Sequence, residues 1–230
     1  MKKTDRILAT LAMFLVIVAI LITSFQIAIY GDPEYKFYQR LYEKYTVTDA
    51  LNMEMEDVME VTEYMMAYLI GEEEELSIVT DVDGQTQDFF NEQDRLHMLD
   101  VKNLFLGGLK LRTYLLIAVA VLLIVLLVKK ADLKEVIVNA YGTAFMIFLG
   151  ILVFLAVAFT VDFTACFTIF HEIFFTNDLW LFDAATDYMI RMLPEGFFAS
   201  MVVRIVTIFV GILLAILLLI SAWKRKEKKK

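Results

Sequence analysis

Four runs of apolar side chains, at residues 7–30, 113–128, 136–161 and 205–223, restrict this chain more than any other feature. Each approaches the roughly 20 residues that a helix needs to cross a bilayer. Inside hydrocarbon a backbone has to satisfy its own polar groups, so runs of this length cross as helices. Sixty per cent of the 230 residues are hydrophobic, too many for an ordinary soluble domain. The sequence therefore predicts an all-α-dominated polytopic membrane protein with four transmembrane helices. The run at 113–128 is the shortest and spans only about 24 Å at 1.5 Å per residue, so Lys110 and Arg112 are expected to snorkel toward the outer interface. The first run is longer than the apolar region of a signal peptide and lacks a pair of small residues at its end, so it is expected to stay as a helix.

Charge decides the orientation. Residues 1–6, the loop 129–135 and the tail 224–230 carry twelve basic residues against four acidic ones, a net +8. The remainder carries nine against twenty-five, a net −16. The positive-inside rule puts both termini and the 129–135 loop in the cytosol, with the segments 31–112 and 162–204 together on the opposite face as an extracellular cap. An acidic exterior excludes nucleic acid as a partner. Cys166 is the only cysteine, so no internal disulfide braces the cap. Among Phe163, Phe167 and Phe170 it reads as a buried apolar residue rather than a thiolate nucleophile.

The cap is expected to be mainly helical with one small β-hairpin. After Gly31-Asp32-Pro33, tyrosines 35, 38, 42 and 45 recur at helical spacing along the membrane surface. Asn52 is expected to cap a helix with Glu54 and Glu56 in its first turn and Gly71 at its end. Met55, Met59, Thr62, Met66 and Leu69 share a face of it, which reads as core packing before it reads as a lipid- or peptide-binding stripe. Glu72 to Glu75 form a solvated linker. Asp83-Gly84 between residues 76–80 and 86–90 marks a hairpin turn. Asn91 caps the next helix, with Asp94 in place of a capping-box Glu. Gly107-Gly108 allows the chain to bend before the second span begins.

The chain has two histidines, and each lies shortly before or after an apolar span. His97 has Asp94 and Asp100 three residues to either side, where a carboxylate reaches one ring nitrogen. A helix-surface histidine with incidental acidic neighbours is the competing reading. The third span is expected to run on as a stripe of Phe159, Phe163, Phe167, Phe170 and Phe174, with His171 among the rings. Beyond it, Asn177 and Asp178 supply turn chemistry and Trp180 suits the interfacial belt. A short helix is expected from Ala184 to Met192, stopping before Pro194. Asp187 and Glu195 bring carboxylates to the same loop, and Arg204 opens the last span, placed for a phosphate headgroup or for one of these acids.

His171-Glu172 lacks the second histidine of a zinc protease, since Phe175 stands four residues on. No serine elbow, P-loop or dinucleotide fingerprint is present, and no cofactor is expected. A metal site built from both histidines and a carboxylate stays open, and with it a metal-dependent lipid hydrolase. A non-catalytic membrane protein with a pH-sensing acidic cap is a second alternative. Two histidines at a lipid interface otherwise suffice for acyl transfer, one as base and one as proton donor.

The run 170–183 (FHEIFFTNDLWLFD), with Arg191-Met-Leu-Pro-Glu-Gly-Phe-Phe198 and Leu96-His-Met-Leu-Asp-Val-Lys102, resembles the bacterial lipoprotein intramolecular transacylase family. The resemblance extends over the whole chain. It implies an acyltransferase of the bacterial cell membrane, with its site at the outer face. The reaction implied is movement of the sn-2 acyl chain of a diacylglyceryl group to the α-amino group of a lipoprotein's N-terminal cysteine, leaving lyso-form product. Diacylglyceryl-modified lipoproteins and membrane lipid would be its partners, and a monomer is expected. His97 and His171 fall on the family's catalytic histidines. Asp94, Asp100, Lys102, Asn177, Asp178, Asp187, Glu195 and Arg204 are the expected supporting or substrate-binding residues. Phe167, Phe170, Phe174, Trp180 and Phe197 are expected to wall an aromatic pocket. In the family a proline often follows the aspartate matching Asp183; Ala184 stands there in this chain, a departure that bears on the start of the short helix.

Overall fold

The computed structural model describes residues 2–227, with side chains as far as Ala222. The last three lysines of the basic tail lie outside the described residues. Helices α1 (Lys3–Tyr30), α2 (Lys36–Lys44), α3 (Val47–Leu51) and α4 (Met55–Ile70) come first. Strands β1 (Val79–Val82) and β2 (Gln85–Asp88) follow, and then α5 (Glu92–Val128), α6 (Leu133–Val161), α7 (Phe163–Phe174), α8 (Tyr188–Met192) and α9 (Glu195–Glu227). Among the described residues α1, α5, α6 and α9 are long and apolar enough to cross a membrane. The protein is a multi-pass membrane protein. Its chain divides into two compact units.

The first unit comprises Met1–Ile29, Leu109–Val161 and Arg204–Lys230. Ala9, Ala12, Ala140 and Ala144 are completely or almost completely buried at its centre, beside Ile17, Leu126, Tyr141 and Phe209. Small residues of this kind let helix backbones approach where no hydrophobic effect drives helices together. Tyr141 donates its hydroxyl to the Leu213 carbonyl at 2.7 Å, which satisfies the polar end of a ring that is 1% exposed. Large side chains such as Leu116, Ile117, Val121 and Phe154 remain exposed, as expected of a surface whose solvent is acyl chains. Lys129 pairs with the buried Asp5 at 3.2 Å. Arg112 bonds to Gln26 and Thr23 instead of extending outward alone.

The second unit comprises Tyr30–Gly108 and Asp162–Val203. Helix α4 buries Val58, Val61, Thr62, Met65, Met66 and Leu69, so Thr62, Met66 and Leu69 of the expected face are core, whereas Met55 and Met59 are only half-buried. Tyr42, fully buried, bonds to Thr62 Oγ1 at 2.7 Å and stacks on Phe197 at 5.7 Å. The hairpin turn holds Asp83 at φ 51° and Gly84 at φ 74°, both left-handed, the geometry that matches the twist of the two strands. The pairing runs from Val79 opposite Asp88 to Val82 opposite Gln85. Arg191 closes over the turn, bonding to the Asp83 carboxylate at 2.7 Å and to the Ala50 carbonyl at 3.0 Å.

Four local expectations are corrected. Gly107 and Gly108 do not interrupt the helix: α5 is continuous from Glu92 to Val128. The roughly 1 kcal/mol that each glycine costs a helix is outweighed by propagation from both sides. Asn52 caps no helix start but ends α3 in the left-handed region at φ 49°, and α4 begins after Glu54. The phenylalanine stripe is interrupted, because the Asp162 carboxylate accepts the Ala165 amide at 2.9 Å and starts α7 as a separate helix. The short helix starts at Tyr188 instead of Ala184. The carboxylates of Asp183 and Asp187 take the amides of Ala185 and Asp183, and that local bonding competes with helix extension.

Candidate functional site

Both histidines lie in the second unit, buried, with ring centroids 6.0 Å apart and planes at 27°. Each position follows from local chemistry. The Asn91 amide donates to Asp94 Oδ2 at 3.0 Å and the Asp94 amide to Asn91 Oδ1 at 2.9 Å, a reciprocal cap that starts α5 and turns His97 inward one turn later. His97 stands edge-on to Phe175 at 5.1 Å and Phe182 at 5.3 Å. His171 sits in the last turn of α7, where Nδ1 lies 2.7 Å from the Phe167 carbonyl. A carbonyl only accepts, so Nδ1 carries the proton and Nε2 keeps a lone pair.

Burial disfavours the imidazolium form at both positions. It lowers the His171 pKa, against the opposing effect of the Phe167 carbonyl. His97 is depressed to about 4 by burial first and by the neighbouring His171 second. Both rings are therefore neutral at pH 7. Neither flanking aspartate holds His97, contrary to expectation. Its Nδ1 is buried without a hydrogen-bond partner. Asp94 is fully buried and is engaged in the cap, its pKa raised to about 6 mainly by burial. Asp100 accepts instead from Asn177 Nδ2 at 2.9 Å.

The segment from Asn177 to Asp187 is strapped to the start of α5 by side chains. Asn91 Nδ2 donates to Asp187 Oδ1, and Gln93 Nε2 donates to the carbonyls of both Leu179 and Leu181, at 3.1 and 3.0 Å. This strap presents Trp180 to His171, with centroids 4.9 Å apart, and Phe182 to His97. Beside it is a cavity of about 400 Å³ whose walls include Phe167, Trp180, Phe182, Asp183, Glu195 and Phe198. Thr164 donates to Glu195 there at 2.8 Å.

The expected aromatic pocket is thus partly redrawn. Phe167 and Trp180 line it. Phe170 and Phe174 pack on one another at 4.8 Å and stay exposed, because they point off the outer face of α7. Phe197 turns into the core against Tyr42, and the next residue, Phe198, takes the place expected for it. Asp178 is exposed in the turn, where its carbonyl accepts the Leu181 amide. Lys102 lies elsewhere in the unit, over the Tyr68 ring at 3.9 Å and donating to the Glu73 carbonyl. Arg204 belongs to the other unit. Gln93, Phe175, Phe182 and Phe198 were not expected at the site. Phe175, Phe182 and Phe198 stand in the motif runs, whereas nothing in the sequence distinguishes Gln93 from a solvated glutamine. Among the described residues no three His, Cys, Asp or Glu side chains are grouped as metal ligands are.

Residues 10–198 match the family model described as lipoprotein intramolecular transacylase Lit. The fold is similar to the solved structure of the membrane integral lipoprotein intramolecular transacylase Lit from Bacillus cereus. The TM-score is 0.75 and the identity 20%, over 97% of this chain and 98% of that one. A variant of that enzyme with a histidine replaced by alanine matches with a TM-score of 0.75 and 20% identity, over 99% of this chain and 96% of that one. The corresponding arginine variant gives 0.71 and 20% identity, over 97% and 95%. No curated protein sequence matches the chain.

Proposed function

The chain belongs to the lipoprotein intramolecular transacylase family and is a transacylase, and from that premise we propose that it moves the sn-2 acyl chain of a diacylglyceryl-modified lipoprotein to the α-amino group of that lipoprotein's N-terminal cysteine. The observation that carries the reading is the pair of buried histidines 6.0 Å apart, drawn from two stretches 74 positions apart in the chain and walled by aromatic rings. Family membership supplies the substrate class. The geometry suggests the roles.

His171 acts as the base. Its Nδ1 proton is committed to the Phe167 carbonyl, which leaves Nε2 as the acceptor. With its pKa depressed to about 4, His97 is a poor base at neutral pH and serves as a neutral N–H donor. The neutral α-amine attacks the sn-2 ester carbonyl carbon. As the C–N bond forms, one amine proton passes to His171 and His97 donates a hydrogen bond to the carbonyl oxygen. The bond from the acyl carbon to the glyceryl oxygen then breaks, and the proton on His171 passes to that oxygen. Protons balance, and no acyl-enzyme is needed. Amine and ester sit on one molecule, so most of the advantage comes from holding it folded for attack. The site works at the outer face of the cell membrane, where the acidic segments are expected to lie.

Substrate and product are isomers, so intact mass does not separate them. Tandem mass spectrometry of the N-terminal peptide of a reporter lipoprotein does, through an N-acyl fragment. That fragment is expected from cells or vesicles containing the protein. Its absence, with the reporter still carrying two O-linked chains, would overturn the reading.

A further inference from the structure

In most histidine bases a carboxylate on the far nitrogen stabilises the imidazolium once it forms. His171 has none. Its hydrogen-bonding ring nitrogen is given to a neutral backbone carbonyl. The rest of its surroundings is aromatic. The Phe167 ring lies at 4.2 Å, Trp180 at 4.9 Å with planes 30° apart, and Phe170 and Phe175 each at 5.5 Å. The titratable groups nearby are His97 on α5 and, in the cavity wall that shares Phe167 and Trp180, Asp183 and Glu195. The imidazolium of a base so enclosed is stranded away from water unless something else offsets its charge.

Aromatic faces are negative, and a cation within about 6 Å of a ring centroid is attracted to it, most strongly by an indole and most of all where water is excluded. We propose that Trp180, backed by Phe167, supplies to His171 what a carboxylate supplies elsewhere, stabilising the imidazolium by cation–π contact as the proton arrives. The placement of the indole is not left to packing. The two carbonyls that Gln93 grips, of Leu179 and Leu181, are the ones flanking Trp180. One side-chain amide therefore fixes the backbone on both sides of the ring, which makes Gln93 a positioning residue acting through Trp180. This arrangement suits a lipid substrate, because aromatic rings stabilise a transient cation without placing a permanent charge beside acyl chains. The inference rests on His171 being the base, and the experiment separates the two.

The chain has two histidines, so the imidazole signals of the full-length protein in detergent can be assigned with His97→Asn and titrated directly by NMR. Trp180→Leu keeps the site apolar but removes the ring. The His171 titration is then expected to fall by about half to one pH unit, and plateau turnover by up to about tenfold. Trp180→Phe is expected to recover part of both, and Gln93→Ala to shift the titration the same way with a smaller loss. Fluorinated tryptophans, whose faces are progressively less negative, are expected to lower the titration in steps without altering shape. A structural role alone gives a different sign: loosening admits water and raises the titration toward the usual histidine value near 6.5. An unmoved or raised titration would overturn the ring's contribution. A lowered titration with an unmoved acid limb of the activity profile would instead overturn His171 as the base.

Discussion

Gly196 is one position where a single methyl group has a calculable effect. It lies in the first turn of α9, between Glu195 of the cavity wall and Phe197 of the cap core. A Cβ there would stand 2.5 Å from one Tyr45 ring carbon, 2.7 Å from another and 2.9 Å from the hydroxyl oxygen. Carbon atoms pack at about 3.5–4.0 Å, so the Tyr45 ring has to retreat by about 1 Å. That retreat pulls its hydroxyl off Ser200 Oγ, now 3.0 Å away, a loss of about 1 kcal/mol. Overpacking adds about 1–3 kcal/mol, toward the lower end because Tyr45 is only half-buried and can swing. Against this, alanine in a helix returns at most about 1 kcal/mol over glycine, and less in a first turn. Gly196→Ala is therefore destabilised by about 1–3 kcal/mol in net terms, seen as a melting temperature several degrees lower in detergent. Turnover should fall with it, since Glu195 and Phe198 move with the same turn. On a Tyr45→Ala background the penalty should disappear, because the clash partner is gone. A Gly196→Ala protein as stable as the parent, or a penalty that persists without Tyr45, would refute the steric argument.

Other perturbations have equally definite outcomes. His97→Asn and His171→Asn should each nearly abolish the N-acyl product while the protein stays folded, and the double variant should be little worse than either; additive losses would show the two rings acting separately. The pH dependence of stability combines the two histidines, both lowered by burial, with one opposing carboxylate. His97, depressed to about 4, makes the unfolded chain bind more protons below pH 6.5, so its contribution is lost as pH falls from 6.5 toward 4. Asp94, raised to about 6, makes the folded chain bind more protons, so its contribution is lost as pH rises from 3.8 toward 6. His171, also lowered by burial, acts in the same direction as His97, so the parent should lose some stability as pH falls from 6.5 toward 4 and Asp94→Asn, without the carboxylate's offset, should lose more; an equal or flatter unfolding-midpoint curve for that variant would contradict it. Cysteine labelling on a Cys166→Ala background should reach position 73 from outside, and labelling only from the cytosol would reject the orientation. Turnover should survive EDTA, and loss restored by one divalent ion would move the reaction to a metal-dependent hydrolase.

The spans, the hairpin and the pairing of the two histidines were legible because each depends on a pattern that survives in one dimension: apolar length, Asp-Gly between strand runs, and two motif stretches. The register of side chains was not. Phe197 and Phe198 are adjacent and equally apolar, and it is packing against Tyr38 and Tyr42 that draws Phe197 into the core. Gly107-Gly108 looked like a hinge because propensity is local, while the continuity of α5 depends on residues to both sides. Asp94 and Asp100 were placed on His97 by helix spacing alone. Their actual partners, Asn91 and Asn177, compete for them through contacts that spacing does not encode. Gln93 escaped notice for the same reason, since its partners are backbone carbonyls 86 and 88 positions away.

Those distances have a consequence for how the protein is made. Asn91 is joined to Asp187 across 96 positions, Asp83 to Arg191 across 108, and Tyr45 to Ser200 across 155. A ribosome adds about 5–20 residues per second, so roughly 5–20 s separate the emergence of Asn91 from that of its partner. Two further spans are synthesised in that interval. The nascent segment carrying His97 therefore waits without Phe175 and Phe182, the rings that later enclose it. A chain arrested after α6 should be cut readily by protease between Tyr30 and Gly108, and become resistant once synthesis has passed Ser200.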